Sequence, residues 1–271
     1  MANKANFRFI NHTFTHADMD TPPVPADAPC DYETLPTIAA AQAEITKNRT
    51  VWGLLALPER SQNNRVIVSG NHSGLKNRKC TADPALHPEM FDVQSDDVAF
   101  DEGGANPIFL QAAANAGVRY LASDSSQKAQ NLEQYIAQYD GSDTDRLMLP
   151  RWPTNVFYNV INPVQLEDEY NHIFHYRFVN AGLNPCEVPG AICTPRNYAE
   201  ILLAEADTAT RHMLTFSGWP HFFHQSNVAK YDAGGNTLQF DWLNAVFTEY
   251  ERFFKLPVRN YPYYLIGDLT A

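Results

Sequence analysis

Two histidines four residues apart, His12 and His16 in Asn11-His12-Thr13-Phe14-Thr15-His16, directly follow the apolar run Phe7-Arg8-Phe9-Ile10. Where a strand gives way to a loop or a first helical turn, that spacing lets two imidazoles converge on one cation. Neutral imidazole nitrogens suit Zn2+ or another divalent metal, and a catalytic zinc takes three protein ligands and keeps a fourth position open for water. His12 and His16 are therefore expected metal ligands, with a third still to be found. Paired histidines at this spacing also arise incidentally, so the assignment leans on the strand-end position and on the threonine after the first histidine. Thr13 is expected to orient a histidine or the loop backbone, because ligating imidazoles hold a second hydrogen bond.

Those side chains need a scaffold, and the chain reads as alternating strands and helices. Phe7–Ile10 and Arg65–Ser69 are apolar runs of strand length, while Tyr32–Lys47 carries apolar residues at near-helical spacing. Asn106–Ala116 reads as a helix opened by Asn-Pro and stopped at Gly117, followed by a strand at Val118–Ser123. Leu147–Leu149 and Met213–Phe216 are expected strands, Pro163–Val179, Asn197–Arg211 and Thr237–Phe254 expected helices, and Pro257–Tyr261 a closing strand. Such alternation implies a parallel sheet and, at this length, an α/β barrel or an incomplete one. His12 and His16, Asn71-His72-Ser73, Asp124-Ser125-Ser126, Arg151-Trp152-Pro153 and His221 to His224 each follow an expected strand, at the rim where barrel enzymes build their sites. The proline-rich stretch 21–29 reads as an ordered excursion or a rim loop rather than a domain boundary.

Composition narrows the partners. The 271 residues carry 31 acidic against 20 basic side chains, a net charge of -11 without a long basic run, which argues against nucleic acid or an anionic membrane as the main partner. No apolar run is long enough to span a bilayer, and Met1–Asn6 lacks the apolar stretch of a secretory signal. The four cysteines, Cys30, Cys80, Cys186 and Cys193, lie in loop-like stretches compatible with two disulfides in an oxidising compartment or with reduced thiols; none has the C-x-x-C spacing of a structural zinc site.

Three strings together carry a family likeness: His12-Thr13-Phe14-Thr15-His16, Pro150-Arg151-Trp152-Pro153-Thr154-Asn155 and Phe222-Phe223-His224. In order and spacing they resemble motifs of the NodB-type polysaccharide deacetylases. Asn71-His72-Ser73-Gly74-Leu75 and Phe223-His224-Gln225-Ser226-Asn227 make the chain most similar to the branch that deacetylates galactosaminogalactan and related exopolysaccharides. In that family an aspartate pair on an earlier strand supplies the third ligand and the general base. Only Met1–Asn11 precedes His12 here, without an Asp or Glu. The resemblance thus implies a single catalytic domain over residues 1–271, a (β/α) barrel of NodB type incomplete at its N-terminus. Asp96-Asp97 mimics the missing motif, but using it would require a rearranged barrel.

By the same resemblance the activity is zinc-dependent release of acetate from an N-acetylated amino-sugar polysaccharide, in an extracellular, periplasmic or cell-surface setting. Arg151 would orient the base, Trp152 would wall the sugar pocket, and the backbone near Thr154 would help hold the oxyanion. The setting of Arg151 between prolines, ahead of Asn155, favours a rigid loop that aims the guanidinium inward; a surface ion pair is the plainer alternative. His224 takes the catalytic-acid role ahead of His221 because it follows a hydrophobic-x pair. His72 is either a substrate contact or a satisfied loop histidine. Trp152, Trp219 and Tyr158 are expected to stack on sugar, with Thr154 and Asn155 beside them. His87, His172, His175 and His212 are read as background. Two other classes stay open: a non-catalytic carbohydrate-binding relative, and a glycoside hydrolase using carboxylates such as Glu187 and Asp124.

Overall fold

A computed structural model describes residues 4–17, 19, 37–58, 63–75, 105–127, 130–136, 146–215 and 217–271. Asp96, Asp97, Cys30, Cys80, His87 and the proline-rich stretch 21–29 lie outside the described residues. The chain divides into two compact units, one formed by Met1–Arg151 with Asn260–Ala271 and the other by Trp152–Arg259.

The first unit is built on four strands, β1 (Val66–Ile67), β2 (Tyr120–Asp124), β3 (Gln134–Ile136) and β4 (Arg146–Arg151), in the order β1-β2-β4-β3. β1, β2 and β4 are parallel, and β3 pairs antiparallel with β4 at the edge. The α/β class with a parallel-rich sheet is as expected. The barrel is not: among the described residues the sheet is open, with β1 and β3 as edges, whereas a barrel needs its first and last strands paired.

Strand side chains alternate between two faces. Ile67, Leu121 and Met148 pack with α1 (Ile38–Leu54) and α2 (Pro107–Asn115) on one side. Val66, Tyr120, Ala122, Leu147 and Leu149 pack on the other with Tyr263 and Ile266 of a C-terminal helix. That double burial explains why Leu147–Leu149 reads as a continuous apolar run. α1 is capped by the Thr37 hydroxyl, which accepts from Ala40 N at 3.1 Å, and α2 by Asn106, with Pro107 in its first turn.

The second unit is helical: α3 (Pro163–Asn171), which runs through a π turn (His172–Tyr176) into α4 (Arg177–Asn180), then α5 (Tyr198–Leu214) and α6 (Leu238–Phe253). Asn197 and Glu200 close a reciprocal capping box on α5. Leu166, Tyr170, Ile201, Ala206, Ala209, Trp242 and Val246 form its core. In place of the expected strand at Met213–Phe216, Met213 and Leu214 form the last turn of α5, and Phe216 lies outside the described residues.

The expected closing strand at Pro257–Tyr261 is irregular, and after it comes the helix that covers the second sheet face, α7 (Tyr263–Thr270). Its docking depends on a missing side chain. A Cβ at Gly267 would lie 2.6 Å from two ring atoms of the buried Tyr120. The adjacent Asp268 joins Arg65 and the Tyr120 hydroxyl, with Arg65 Nη1 donating to its Oδ2 at 3.0 Å. Gly267→Ala is expected to destabilise the fold by about 1–3 kcal/mol through overpacking; a denaturation midpoint equal to the parent's would show that α7 does not sit on Tyr120 this closely.

Candidate functional site

The parallel strands deliver their C-terminal ends to one edge of the first unit, where ligands of open α/β sheets bind. Asn11 makes a parallel bridge to Ile67, with Val68 N donating to Asn11 O at 2.8 Å, so His12 leaves beside the end of β1. β1 itself runs on into Ser69-Gly70-Asn71-His72. β2 ends at Asp124 and β4 at Arg151, and those two residues are register partners.

The histidine loop is held from below by α1. The buried Asn11 amide donates to Ile45 O at 2.9 Å, and its oxygen accepts from Thr13 N at 3.0 Å and Asn48 Nδ2 at 2.8 Å. Glu44 Oε2 accepts the backbone N–H groups of Phe14 at 2.9 Å and Thr15 at 2.7 Å. The Thr13 hydroxyl donates to His12 O at 2.6 Å, which is the backbone-orienting part expected of it.

His12 and His16 meet edge to face with ring centroids 4.8 Å apart. His12 Nδ1 lies 2.8 Å from Val68 O. A carbonyl only accepts, so Nδ1 carries the proton and Nε2 of the neutral ring is the nitrogen with a lone pair to offer. Loss of surrounding water lowers the His12 pKa. The neighbouring His16, Arg151 and His72 push the same way, against the Val68 carbonyl. His16 lies against Gly70, where a Cβ would sit 2.6 Å from His16 O and 2.9 Å from its Nδ1. The donor chemistry and the second-sphere carbonyl suit a divalent metal. Among the described residues, however, no group of three or more His, Cys, Asp or Glu could hold an ion.

His72 and Asp124 form the second pair on this edge, with Nδ1 and Oδ2 3.3 Å apart. Ser126 donates to Asp124 Oδ1 from its N–H at 2.9 Å and its hydroxyl at 2.8 Å. Burial alone would raise the Asp124 pKa; the His72 imidazole and the Ser126 donors outweigh it and hold the carboxyl below its ordinary value. Arg151 Nε donates to Ser123 O at 3.1 Å, and Asp124 is among the charges acting on its guanidinium. Arg151 thus sits at the end of β4, beside Asp124 at the end of β2.

The remaining sequence candidates belong to the second unit. Trp152 N donates to Pro220 O at 2.9 Å, and Trp152 O accepts from Phe222 N at 3.1 Å. Its indole has Trp219 at 4.8 Å between ring centroids. The Thr154 hydroxyl donates to Phe222 O at 3.3 Å. Asn155 is turned toward the buried Glu205, donating from its backbone to Oε2 at 3.0 Å and from Nδ2 to Oε1 at 2.6 Å. Burial raises the Glu205 pKa, and the Asn155 donors oppose that rise. Exposed Tyr158 and exposed His224 meet edge to face at 6.0 Å, and His224 N donates to Asn227 Oδ1 at 2.9 Å.

A family model of the Agd3 deacetylase domain matches residues 103–261, more than half of the chain. The chain belongs to the Agd3 deacetylase domain family. A crystal structure of Agd3, described as a novel carbohydrate deacetylase, has the same fold, with a TM-score of 0.65 at 18% identity over 99% of this chain and 34% of that one. The chain therefore spans about a third of the length of the solved protein it matches. No curated protein matches it. The Agd3 deacetylase match takes in Asp124, Arg151 and every candidate of the second unit, and begins after His12, His16 and His72.

Two residues of this Agd3-family chain, Glu44 and Glu205, escaped the sequence reading, and Asp124, read there as a rim residue and a possible hydrolase carboxylate, was not paired with His72. Glu44 carried one signal, its place with Ala41, Ile45 and Asn48 on one stripe of α1. Glu44→Ala should leave the Phe14 and Thr15 amides without their acceptor, at a cost of about 1–3 kcal/mol. Hydrogen exchange at those two amides is then expected to speed up while β2 and β4 stay protected. Unchanged exchange would mean that α1 does not hold the histidine loop.

Proposed function

We propose that this chain contributes to hydrolytic removal of N-acetyl groups from an amino-sugar polysaccharide, releasing acetate. The observation that carries the reading is the Agd3 deacetylase family match, with Arg151 and the family-like aromatic and histidine strings inside it. The crystal structure that shares its fold is described as that of a carbohydrate deacetylase.

In this reading His12 and His16 hold a divalent metal, zinc by preference, with further donors from outside the described residues. When bound, the metal supplies Lewis acidity toward the acetamido carbonyl and a lowered pKa for water. The residues of the chain do the rest. Water adds to the acetamido carbon, the C–N bond breaks, acetate departs, and the sugar nitrogen takes a proton to become a free amine. Arg151, anchored by Ser123 O, places a fixed positive charge where negative charge develops or where a carboxylate base must be oriented. His72, tied to Asp124, contacts substrate. His224 delivers the proton to the leaving nitrogen, and Trp152, Trp219 and Tyr158 give flat surfaces for sugar rings, with Thr154 and Asn155 holding their loop. A net charge of -11 suits a partner that gains amines as the reaction proceeds.

The Cys186–Cys193 disulfide supports an oxidising setting, extracellular, periplasmic or at the cell surface. Among the described residues no helix is long and apolar enough to cross a membrane.

The test is acetate release from N-acetylated galactosamine polymer, with elemental analysis of the chain. His12→Ala and His16→Ala are each expected to lose both bound metal and acetate release, and His224→Ala to keep the metal while kcat falls by about 10²- to 10⁴-fold. Reducing ends appearing without acetate would replace this reading with glycoside hydrolysis. Polymer binding with neither product would replace it with a carbohydrate-binding role.

A further inference from the structure

Two histidines of the second unit take no part in that reaction. His212 lies in the last turn of α5, and His221 lies in the segment whose backbone bridges to Trp152. His212 Nδ1 and His221 Nε2 are 3.0 Å apart. A bond between two imidazoles needs one N–H and one lone pair, and two imidazolium rings could not form it. Burial lowers both pKa values, that of His221 to about 4; Arg211 adds to the effect on His212, and any charge on His212 would oppose protonation of His221.

The same His212 ring is stacked on the Trp152 indole, with centroids 3.9 Å apart and planes 12° from parallel. His221 is backed by Trp242, at 5.1 Å between centroids. The contacts therefore close on themselves. Trp152 is tied through its backbone to Pro220 and Phe222, and through its ring to His212; His212 is bonded in turn to His221, between those two residues. Stacking fixes the plane of the indole, and the hydrogen bond fixes the ring on which it stacks. Glu205, two turns earlier on the same face of α5, fixes Asn155 of the same loop.

We propose that His212 and His221 are positioning residues: a hydrogen-bonded pair that sets the Trp152 indole in the orientation in which it stacks on a sugar ring. The proposal rests on the reading of Trp152 as a substrate contact. An indole held in one rotamer before binding loses little side-chain freedom when a pyranose settles on it, and that saving appears as affinity. His212 itself does not touch the sugar.

Near-UV circular dichroism of the full chain isolates the Trp152 band by difference from Trp152→Phe. Affinity is measured for soluble N-acetylgalactosamine oligomers. His212→Ala is expected to erase the Trp152 band and weaken oligomer binding by about threefold to tenfold, the scale of one aromatic contact. His212→Phe, which keeps a flat ring of similar volume, is expected to restore most of both. His212→Asn, which keeps a donor near Nδ1 without a ring to stack, is expected not to. A Trp152 band and affinity equal to the parent's in His212→Ala overturn the proposal. So does a band lost in His212→Phe while that variant folds normally. If His212→Ala erases the band but Trp152→Ala leaves oligomer affinity untouched, the pair orders the indole and the substrate reading of Trp152 is what fails.

Discussion

Parallel pairing of β2 with β4 is the constraint on which the rest of the first unit depends. Parallel strands send their C-terminal ends the same way, so whatever follows them in sequence is gathered on one edge. Register then decides which residues meet there. With Tyr120 opposite Leu147, the last pair of the ladder is Asp124 with Arg151, and a shift by one residue would turn Arg151 to the opposite face. The faces of the same strands are filled by α1 and α2 on one side and α7 on the other. Polar side chains are thereby left to the ends of strands, and the His12 loop joins them because Asn11 continues the parallel pattern past Ile67.

The two histidine loops carry unfavourable backbone geometry. Thr13, His16, Asn71 and His72 all have positive φ, and Ala56 is the only other non-glycine residue to do so among those described. Such conformations cost on the order of 1 kcal/mol or more each and persist only where surrounding structure over-determines them. Here that structure is visible. Glu44 gathers two consecutive backbone donors, Asn11 fills its amide with bonds to Ile45, Asn48 and Thr13, and the Gln130 side chain donates to His72 O at 3.1 Å. Gly70 lets His16 approach where any side chain would collide with it. The loops are strained and braced together, which fixes the imidazoles before a ligand arrives.

What could be read from sequence follows the distance over which each interaction acts. The closeness of the His12 and His16 rings was legible because their relation is four residues long, and α6 because Leu238, Trp242 and Val246 repeat at helical spacing. Glu44 is 29 and 30 residues from the amides it holds, and Asp124 is 52 from His72; neither spacing has a signature until the chain folds. α7 was missed because eight residues after Pro262 show too few turns for a period to emerge, and its identity comes from packing on Tyr120. Met213–Phe216 reads as a strand because its apolar residues lie close together, yet Met213 and Leu214 belong to α5. That the sheet is open among the described residues was hidden for a related reason: alternation predicts parallel pairing, but not whether the outer strands find one another.

Charge distribution ties the site to its proposed chemistry. The chain is acidic overall, yet His12, His16, His72 and Arg151 gather on one strand edge, with Asp124 as the carboxylate bonded to His72. A permanent guanidinium among imidazoles does two things. It opposes protonation of His12, where it adds to the larger effect of burial, so protons compete less for the His12 nitrogen a metal would need. It also favours negative charge at that edge, whether a developing oxyanion or a departing acetate. A lysine, with one compact charge on a flexible stem, would repel protons as well, but has no second donor group with which to keep a planar, delocalised charge while one N–H is anchored on the Ser123 carbonyl. Arginine at position 151 therefore joins a contribution to the lowered His12 pKa with a preference for anions, within a chain whose net charge of -11 would repel them.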